Sequence, residues 1–149
     1  MKIVGFALKK VSSERINPIK GKLEMKSNIN IDNIEKEEVS FSDKDSLKFD
    51  FTFSIDYNPD LAKIEIKGSV VTIDEKDESK EILKDWKKKK FDNPGIKLGI
   101  FNFILNKCNL KALLLEEELG LPLHIPFPKL APAKTNSEKT SGDSPKYAG

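Results

Sequence analysis

The sequence predicts an α+β fold in which a four-stranded antiparallel sheet is followed by a short and a long helix packed on one face. Two observations lead to this prediction. Apolar and polar residues alternate strictly through residues 47–57, which is typical of a strand with one buried and one solvated face. All strand-like stretches precede both helical ones, and this segregation favours an antiparallel sheet over alternating βαβ units.

The N-terminal half contains the first two predicted strands. Residues 2–11 are rich in strand-forming side chains and predict strand one. Residues 12–21 contain a proline and a glycine, which favour an irregular crossing segment over a tight hairpin. Apolar residues at alternate positions in 23–31 then predict a half-buried strand two. Residues 33–46 are charged and have weak periodicity.

The third and fourth predicted strands are joined by a turn. Residues 47–57 carry the strictest alternation in the chain and form strand three. Asn58, Pro59 and Asp60 follow, and these residue types favour a turn because proline presets its own torsion angle while Asn and Asp bond the local backbone. Strand four spans residues 61–73. Its apolar side changes phase beside Gly68, which predicts a bulge or bend.

Two helices are predicted after the strands. The first spans residues 77–90 and is amphipathic, with a small apolar stripe of Ile82, Leu83 and Trp86. The second begins at Pro94, which suits the first turn of a helix, with Asn93 or Asp92 before it as a cap, and it stops at Gly120. Apolar residues cover well over half of its circumference. We therefore expect two covers for it, the sheet on one side and a second subunit, the tail or a bound apolar client on the other.

Composition restricts the class of protein. The 149 residues have room for one domain, residues 1–130, and a disordered tail, residues 131–149. Charged residues make up 34% of the chain but leave a net charge of only +2, so no bulk attraction to nucleic acid or membrane follows. A single cysteine, the lack of a signal-peptide pattern and the lysines within the long helix predict a cytoplasmic protein without membrane insertion.

No set of residues suggests catalysis or metal binding. Cys108 and His124 are the only residues of their types, and a core thiol and a loop histidine explain them better than a nucleophile pair. The chain cannot supply the usual four zinc ligands, and its acidic turn at residues 74–78 lacks calcium-loop spacing. We therefore expect no enzyme activity, no metal and no cofactor.

The segment after the long helix carries a family resemblance. Residues 120–130 read Gly-Leu-Pro-Leu-His-Ile-Pro-Phe-Pro-Lys-Leu. This segment resembles the one that follows the main helix in the bacterial export chaperone SecB and in SecB-like relatives, including divergent archaeal proteins. The order of four strands and then two helices is also similar to that family. The resemblance covers residues 1–130 by architecture and only the helix-to-proline junction by motif.

The resemblance implies a function in protein folding or transport. It implies an ATP-independent holdase, a homo-oligomer such as a dimer or tetramer, that binds unfolded polypeptides in apolar grooves between helix and sheet or crossover loop. The candidate client surface consists of Phe41, Phe101, Ile104, Leu121, Ile125 and Phe127. The alternative for each of these residues is an ordinary core or subunit interface.

The tail departs from the family. The SecB tail is acidic, associated with zinc and docks on the export motor, whereas residues 135–149 contain neither cysteine nor histidine. Motor-coupled secretion is therefore not expected. SecB-like proteins also serve as dedicated chaperones of toxin–antitoxin pairs, and the sequence is compatible with that role.

A basic cluster suggests an alternative function. Lys84, Lys87, Lys88, Lys89 and Lys90 flank Trp86, and clustered lysines release counterions from nucleic-acid phosphates. This pattern predicts an RNA- or ribosome-associated accessory module. Acidic residues on the same helix favour instead an ordinary solvated face.

Overall fold

The computed structural model describes residues 1–18, 20–41, 43–128 and 130–132 of the chain. All but the first two residues of the predicted tail, 131–149, lie outside the described residues. The elements are β1 (Lys2–Arg15), β2 (Glu24–Glu37), β3 (Asp45–Asn58), β4 (Ala62–Asp74), α1 (Lys76–Lys87) and α2 (Pro94–Leu119). The predicted α+β class, with four strands before two helices, is confirmed.

The four strands form one antiparallel sheet in the order β1-β4-β3-β2. Because β1 and β2 are consecutive in the chain but lie at opposite edges of the sheet, the chain crosses the end of the sheet between them, and the described residues of this crossing are 16–18 and 20–23. The backbone N–H groups of Ile16 and Asn17 donate to the carbonyl oxygen of Leu61 at 2.8 and 3.2 Å. These bonds hold the crossing segment against the β3–β4 turn, so the predicted irregular crossing is present but shorter than expected.

The core lies between the sheet and α2. The inward residues of β3 are almost completely buried, namely Leu47, Phe49, Phe51, Phe53, Ile55 and Tyr57. The helix supplies a buried row with a spacing of mostly four residues, namely Ile96, Ile100, Ile104, Cys108, Ala112 and Leu115. From α1, Ile82 is buried and Leu83 and Trp86 pack against the same cluster. The predicted alternation of β3 and the apolar stripe of α1 are thereby confirmed.

Both ends of α2 have the predicted caps. The Asn93 side chain accepts a hydrogen bond from the Ile96 N–H at 3.3 Å, and Gly120 adopts the left-handed conformation with φ 63°. The helix is about 39 Å long at 1.5 Å per residue. Only one side of it is covered by the sheet. Leu98, Leu110 and Leu114 remain 64%, 67% and 58% exposed.

By length and composition alone, α2 is able to cross a membrane, since its mean hydropathy reaches 1.3 over 18 residues. The lysines that were expected to exclude this do not lower the hydropathy enough. A helix that packs on a sheet passes the same test, and the row from Ile96 to Leu115 packs on the sheet in this way. One such helix is weak evidence for a membrane span.

Both edge strands are longer than predicted. β1 continues through residues 12–15, where Arg15 pairs with Ala62 of β4. β2 continues through the charged stretch as far as Glu37, which pairs with Ser46 of β3. In β2 a register shift between Ile31 and Asn33 breaks the alternation, so the buried Ile34 is out of phase with the earlier apolar residues. The main-chain hydrogen bonds of the ladder continue across it, because they do not depend on side-chain type. Hydrophobic periodicity alone therefore underestimates the length of these strands.

The predicted bulge beside Gly68 is present in the β1–β4 pairing, but its extra residue lies on β1, and β4 itself does not change phase. β4 pairs with β3 in unbroken register, and its inward positions continue through Thr72 and Asp74, both buried. The polar identity of these two residues hid the alternation. Burial raises the pKa of the Asp74 carboxyl above its ordinary value, against a hydrogen bond from the Thr72 hydroxyl that lowers it. In the β1–β4 pair the register shifts lie on β1, between Ile3 and Gly5 and, opposite Gly68, between Leu8 and Lys10.

Gly68 permits a close approach of three strands. A Cβ atom at this position would lie 2.4 Å from the Ala7 carbonyl oxygen of β1 and 3.0 Å from a ring carbon of Phe51 on β3. The first of these atoms is backbone and cannot rotate away. Only glycine leaves β1 in its observed position beside β4.

We therefore expect Gly68→Ala to lower the free energy of unfolding by about 1–3 kcal/mol, because β1 must shift to admit the methyl group. Urea unfolding at fixed protein concentration measures the change. Gly95→Ala is the matched control, since the nearest atom to its Cβ is 3.8 Å away and alanine favours a helix. Equal stability of Gly68→Ala and the unmodified protein would contradict the packing described here.

Candidate polypeptide-binding grooves

The chain reverses direction at the C-terminal end of α2. Gly120 has φ 63°, the N–H of Leu121 donates to the carbonyl oxygen of Glu116 at 2.8 Å, and the Gly120 N–H donates to that of Glu117 at 3.2 Å. A guanidinium nitrogen of Arg15 on β1 also donates to the Leu119 carbonyl at 3.0 Å. The last carbonyl groups of the helix therefore have hydrogen-bond partners from its own backbone and from the sheet. Residues 121–128, which we call the proline segment, return beside the helix.

A buried polar network fixes this return. The Glu116 carboxylate is completely buried and accepts hydrogen bonds from the Tyr57 hydroxyl, the His124 backbone N–H at 2.8 Å and the His124 Nδ1. The Tyr57 hydroxyl also lies 2.9 Å from the Pro122 carbonyl oxygen, and His124 Nε2 lies 2.9 Å from Asn109 Oδ1. Both ring nitrogens thus lie within hydrogen-bond distance of side-chain oxygen atoms, which fixes the orientation of the His124 ring.

The surroundings preserve these donors. Burial, and secondly the adjacent Glu116 carboxylate, raise the pKa of the Tyr57 phenol well above its ordinary value, so the hydroxyl keeps its proton. Phe53 of β3 packs against the His124 ring with the centroids 6.4 Å apart. The network thus joins the end of α2, the inner face of the sheet and the proline segment into one unit.

The return leaves an apolar groove between α2 and the proline segment. We call it the leucine groove. It has a volume of about 740 Å³ and is lined by Leu110, Leu113, Leu114, Glu116, Glu117, Gly120, Leu121, Leu123 and Phe127. Most of its accessible lining is leucine and phenylalanine side chain. Such a surface binds apolar side chains by burial and offers few groups that would define a polar ligand.

A second groove lies between β2 and the first half of α2. Two adjoining cavities of about 440 and 290 Å³ share Ile29 and Phe101 in their walls and together follow residues 27–31 of β2. We call this the β2–α2 groove. One end of it is apolar, with Phe53 and Leu105, and the other is lined by lysine and aromatic side chains.

The predicted client-binding residues are distributed over several places. Leu121 and Phe127 line the leucine groove, and the exposed Ile125 lies between them on the proline segment. Phe101 lies in the β2–α2 groove. Ile104 is completely buried in the core, and Phe41 is 69% exposed in the β2–β3 loop, at the opposite end of β3 from Tyr57. The structure therefore brings together only part of the predicted surface.

Sequence reasoning missed the leucines on the open side of α2 and the role of Glu116. The signal for Glu116 was present, since it follows Cys108 and Ala112 at intervals of four and so lies on the buried row. A carboxylate on such a row requires donors from elsewhere in the fold. Tyr57 and His124 were candidates by their chemistry, but nothing in the local pattern indicates that they meet.

The lysines of the alternative prediction, Lys84, Lys87, Lys88, Lys89 and Lys90, are all exposed. None of them forms an ion pair within the described part of the chain. Lys89 and Lys90 line the basic end of the β2–α2 groove, whereas the other three do not. The same described ranges contain no group of three or more potential metal ligands. The absence of a metal and of catalysis stays a prediction.

Comparison with known proteins supports the fold. A search of solved structures finds the Mycobacterium tuberculosis Rv1957 SecB-like chaperone in complex with a ChAD peptide from the Rv1956 HigA1 antitoxin, with a TM-score of 0.51. The chains are 11% identical, and the match covers 89% of this chain and 92% of that one. This confirms a SecB-like fold but not the predicted archaeal type. Neither protein-family profiles nor curated protein sequences give a match.

The buried network generates a stability prediction. Glu116→Gln keeps the size of the side chain but replaces an acceptor oxygen with an NH2 group that faces the donors of Tyr57 and His124, so we expect a loss of about 1–3 kcal/mol in the free energy of unfolding. Glu117→Gln is the matched control, because this neighbouring side chain is exposed and its loss should change stability by less than about 0.5 kcal/mol. Urea unfolding of both variants decides the point, and similar midpoints would mean that the network contributes little.

The environment of Cys108 generates a reactivity prediction. Its thiol is buried, and burial raises the pKa to about 11, so almost no thiolate is present at neutral pH. We expect the native protein to resist a thiol-specific disulfide reagent for hours and to react fully once urea has unfolded it. Fast labelling of the native protein would contradict this assignment and favour the nucleophile pair of Cys108 and His124 instead.

Proposed function

We propose that this protein is an ATP-independent chaperone that binds apolar segments of unfolded polypeptides. The observation that carries the proposal is the leucine groove, an open apolar surface on a helix that already covers the core with its other side. The SecB-like fold supports it, because the Rv1957 chaperone of the same fold binds a peptide from an antitoxin. A single dedicated partner and a range of unfolded clients are both compatible with such a surface.

Binding in this groove needs no chemical step. Burial of a leucine-sized side chain contributes on the order of 1.5–3 kcal/mol, and ordering of the bound segment cancels part of it. Contact with a few leucines therefore gives weak, reversible binding. A holdase requires this property, since a client must be released to fold.

The proposal includes a cytoplasmic homo-oligomer that is not inserted in a membrane. The exposed leucines of α2 and the free edges of β1 and β2 support self-association, because both kinds of surface gain stability when they are covered. Native mass measurement tests this part. A monomer at micromolar concentration would remove it without affecting the client-binding proposal.

The RNA-associated alternative retains one supporting observation, namely that the lysines from Lys84 to Lys90 are exposed without ion pairs in the described part of the chain. It predicts steeply salt-dependent RNA binding. The leucine groove has no role in RNA binding, so substitutions of its leucines distinguish the chaperone function from the RNA-associated function.

We expect the double variant Leu110→Gln/Leu114→Gln to bind a fluorescent apolar peptide about tenfold more weakly than the unmodified protein, because two apolar groove residues become polar. It should also lose most of its ability to suppress the aggregation of an unfolding client without nucleotide. Peptide anisotropy and light scattering measure the two effects.

Leu98→Gln is the matched control for this experiment. Leu98 is an exposed leucine on the same helix but lies outside both grooves, so its replacement should leave binding unchanged. Equal loss in both variants would show a general effect of exposed leucines, for example through self-association. Absence of suppression by the unmodified protein in molar excess would reject the chaperone proposal.

A further inference from the structure

The β2–α2 groove has a chemical polarity that the leucine groove lacks. It follows about five residues of β2, roughly 16 Å of extended chain. Phe53 and Leu105 line the end near residue 27, and Lys89, Lys90 and Lys97 line the end near residue 31. Asp92 is the only acidic residue among those lining it. The basic end therefore carries an excess of positive charge.

The three lysines differ from several lysines on the sheet. Lys9 and Lys10 each have a carboxylate partner, at 2.7 Å from Asp50 and 2.9 Å from Glu65. Within the described residues, Lys89, Lys90 and Lys97 have none. Their charge is thus available to a ligand, and complementary charge favours an acidic partner over a neutral or basic one.

Aromatic rings position two of these ammonium groups. The Lys89 ammonium lies 5.3 Å from the centre of the Trp86 ring, and the Lys97 ammonium lies 5.7 Å from that of Phe101. The Trp86 indole N–H also lies 3.4 Å from the Asn33 side-chain oxygen. Since each ring already has a cation over one face, the arrangement suits a carboxylate ligand better than a stacked nucleotide base.

We propose that the β2–α2 groove selects client segments in which acidic residues lie next to a short apolar stretch. The apolar residues occupy the end with Phe53 and Leu105, and the carboxylates face Lys89, Lys90 and Lys97. Residue 29 of β2 forms the wall common to both ends, and β2 is an edge strand whose outer side has no neighbouring strand in the described part of the sheet. This inference rests on the proposed chaperone function and specifies its substrate class.

The C-terminal segment of the chain itself is not complementary to this groove. Residues 133–149 contain three lysines and only two acidic residues, so they would bring further positive charge to the basic end. The charge of the groove therefore favours a segment of another polypeptide.

The test compares three fluorescent probes. One is a nine-residue peptide with a leucine-rich half and an aspartate- and glutamate-rich half, the second replaces its acids with Asn and Gln, and the third is a single-stranded RNA oligonucleotide of similar length. We expect the acidic peptide to bind about tenfold more tightly than the amide peptide at low salt, and the difference to shrink as salt screens the charges.

The variant Lys89→Gln/Lys90→Gln should lose most of this preference. Lys87→Gln/Lys88→Gln is the matched control, since it removes the same charge from neighbouring residues that do not line the groove, and it should retain the preference. Thermal unfolding checks that both pairs of exposed substitutions leave the fold intact.

The outcomes separate the two proposals. Equal binding of both peptides overturns the acidic selectivity but leaves the chaperone function standing. Tighter binding of RNA than of the acidic peptide, lost in both lysine variants, overturns the selectivity in favour of the RNA-associated alternative. If neither peptide binds, the selectivity is rejected, and suppression of client aggregation shows whether the chaperone function is rejected with it.

Discussion

The arrangement of the C-terminal third depends on one buried carboxylate. Glu116 lies on the same helical row as Cys108 and Ala112, so its side chain is directed into the core when α2 packs on the sheet. A buried carboxyl group in that position is tolerated only if hydrogen-bond partners surround it. Tyr57 and two groups of His124 supply them, which obliges the proline segment to fold back against the sheet. The chain reversal at Gly120 makes this return possible.

This constraint explains why the apolar surface of α2 is divided. The sheet covers the row from Ile96 to Leu115, and the proline segment covers Leu121. Because the backbone of His124 is tied to Glu116, the segment passes beside Leu110 and Leu114 without covering them. The leucine groove is therefore a consequence of where the polar network holds the chain.

Local patterns predicted much of the fold, while the site depended on contacts that local patterns do not contain. Strict alternation identified β3, and Asn93, Pro94 and Gly120 identified the ends of α2, because such signals act within a few residues. The predicted change of phase in β4 was wrong because Thr72 and Asp74 are polar but buried, and the sequence does not distinguish them from exposed polar residues. Ile104 could not be separated from the exposed leucines, since a helix that is apolar nearly all round does not reveal which side meets the sheet.

The grooves required still longer-range information. Glu116 lies 59 residues after Tyr57 and 8 residues before His124. None of the three residues is unusual by itself, so the sequence does not indicate that they meet. The net charge of +2 also concealed the distribution of charge, because it averages lysines that pair with carboxylates, such as Lys9 and Lys10, with the lysines near α1 that have no such partner in the described part of the chain.

The exposed leucines of α2 give the physical reason for expecting a partner, because their burial would contribute favourable free energy. Leu98, Leu110 and Leu114 are more than half exposed, and each would contribute on the order of 1.5–3 kcal/mol if it were fully buried. That total is comparable with the whole stability of a small domain. A chain that only needed to fold would gain from polar residues at these positions, in solubility and in specificity of the native state. Their presence is accounted for under the proposed function, in which a second polypeptide, either a client or another copy of the chain, covers them.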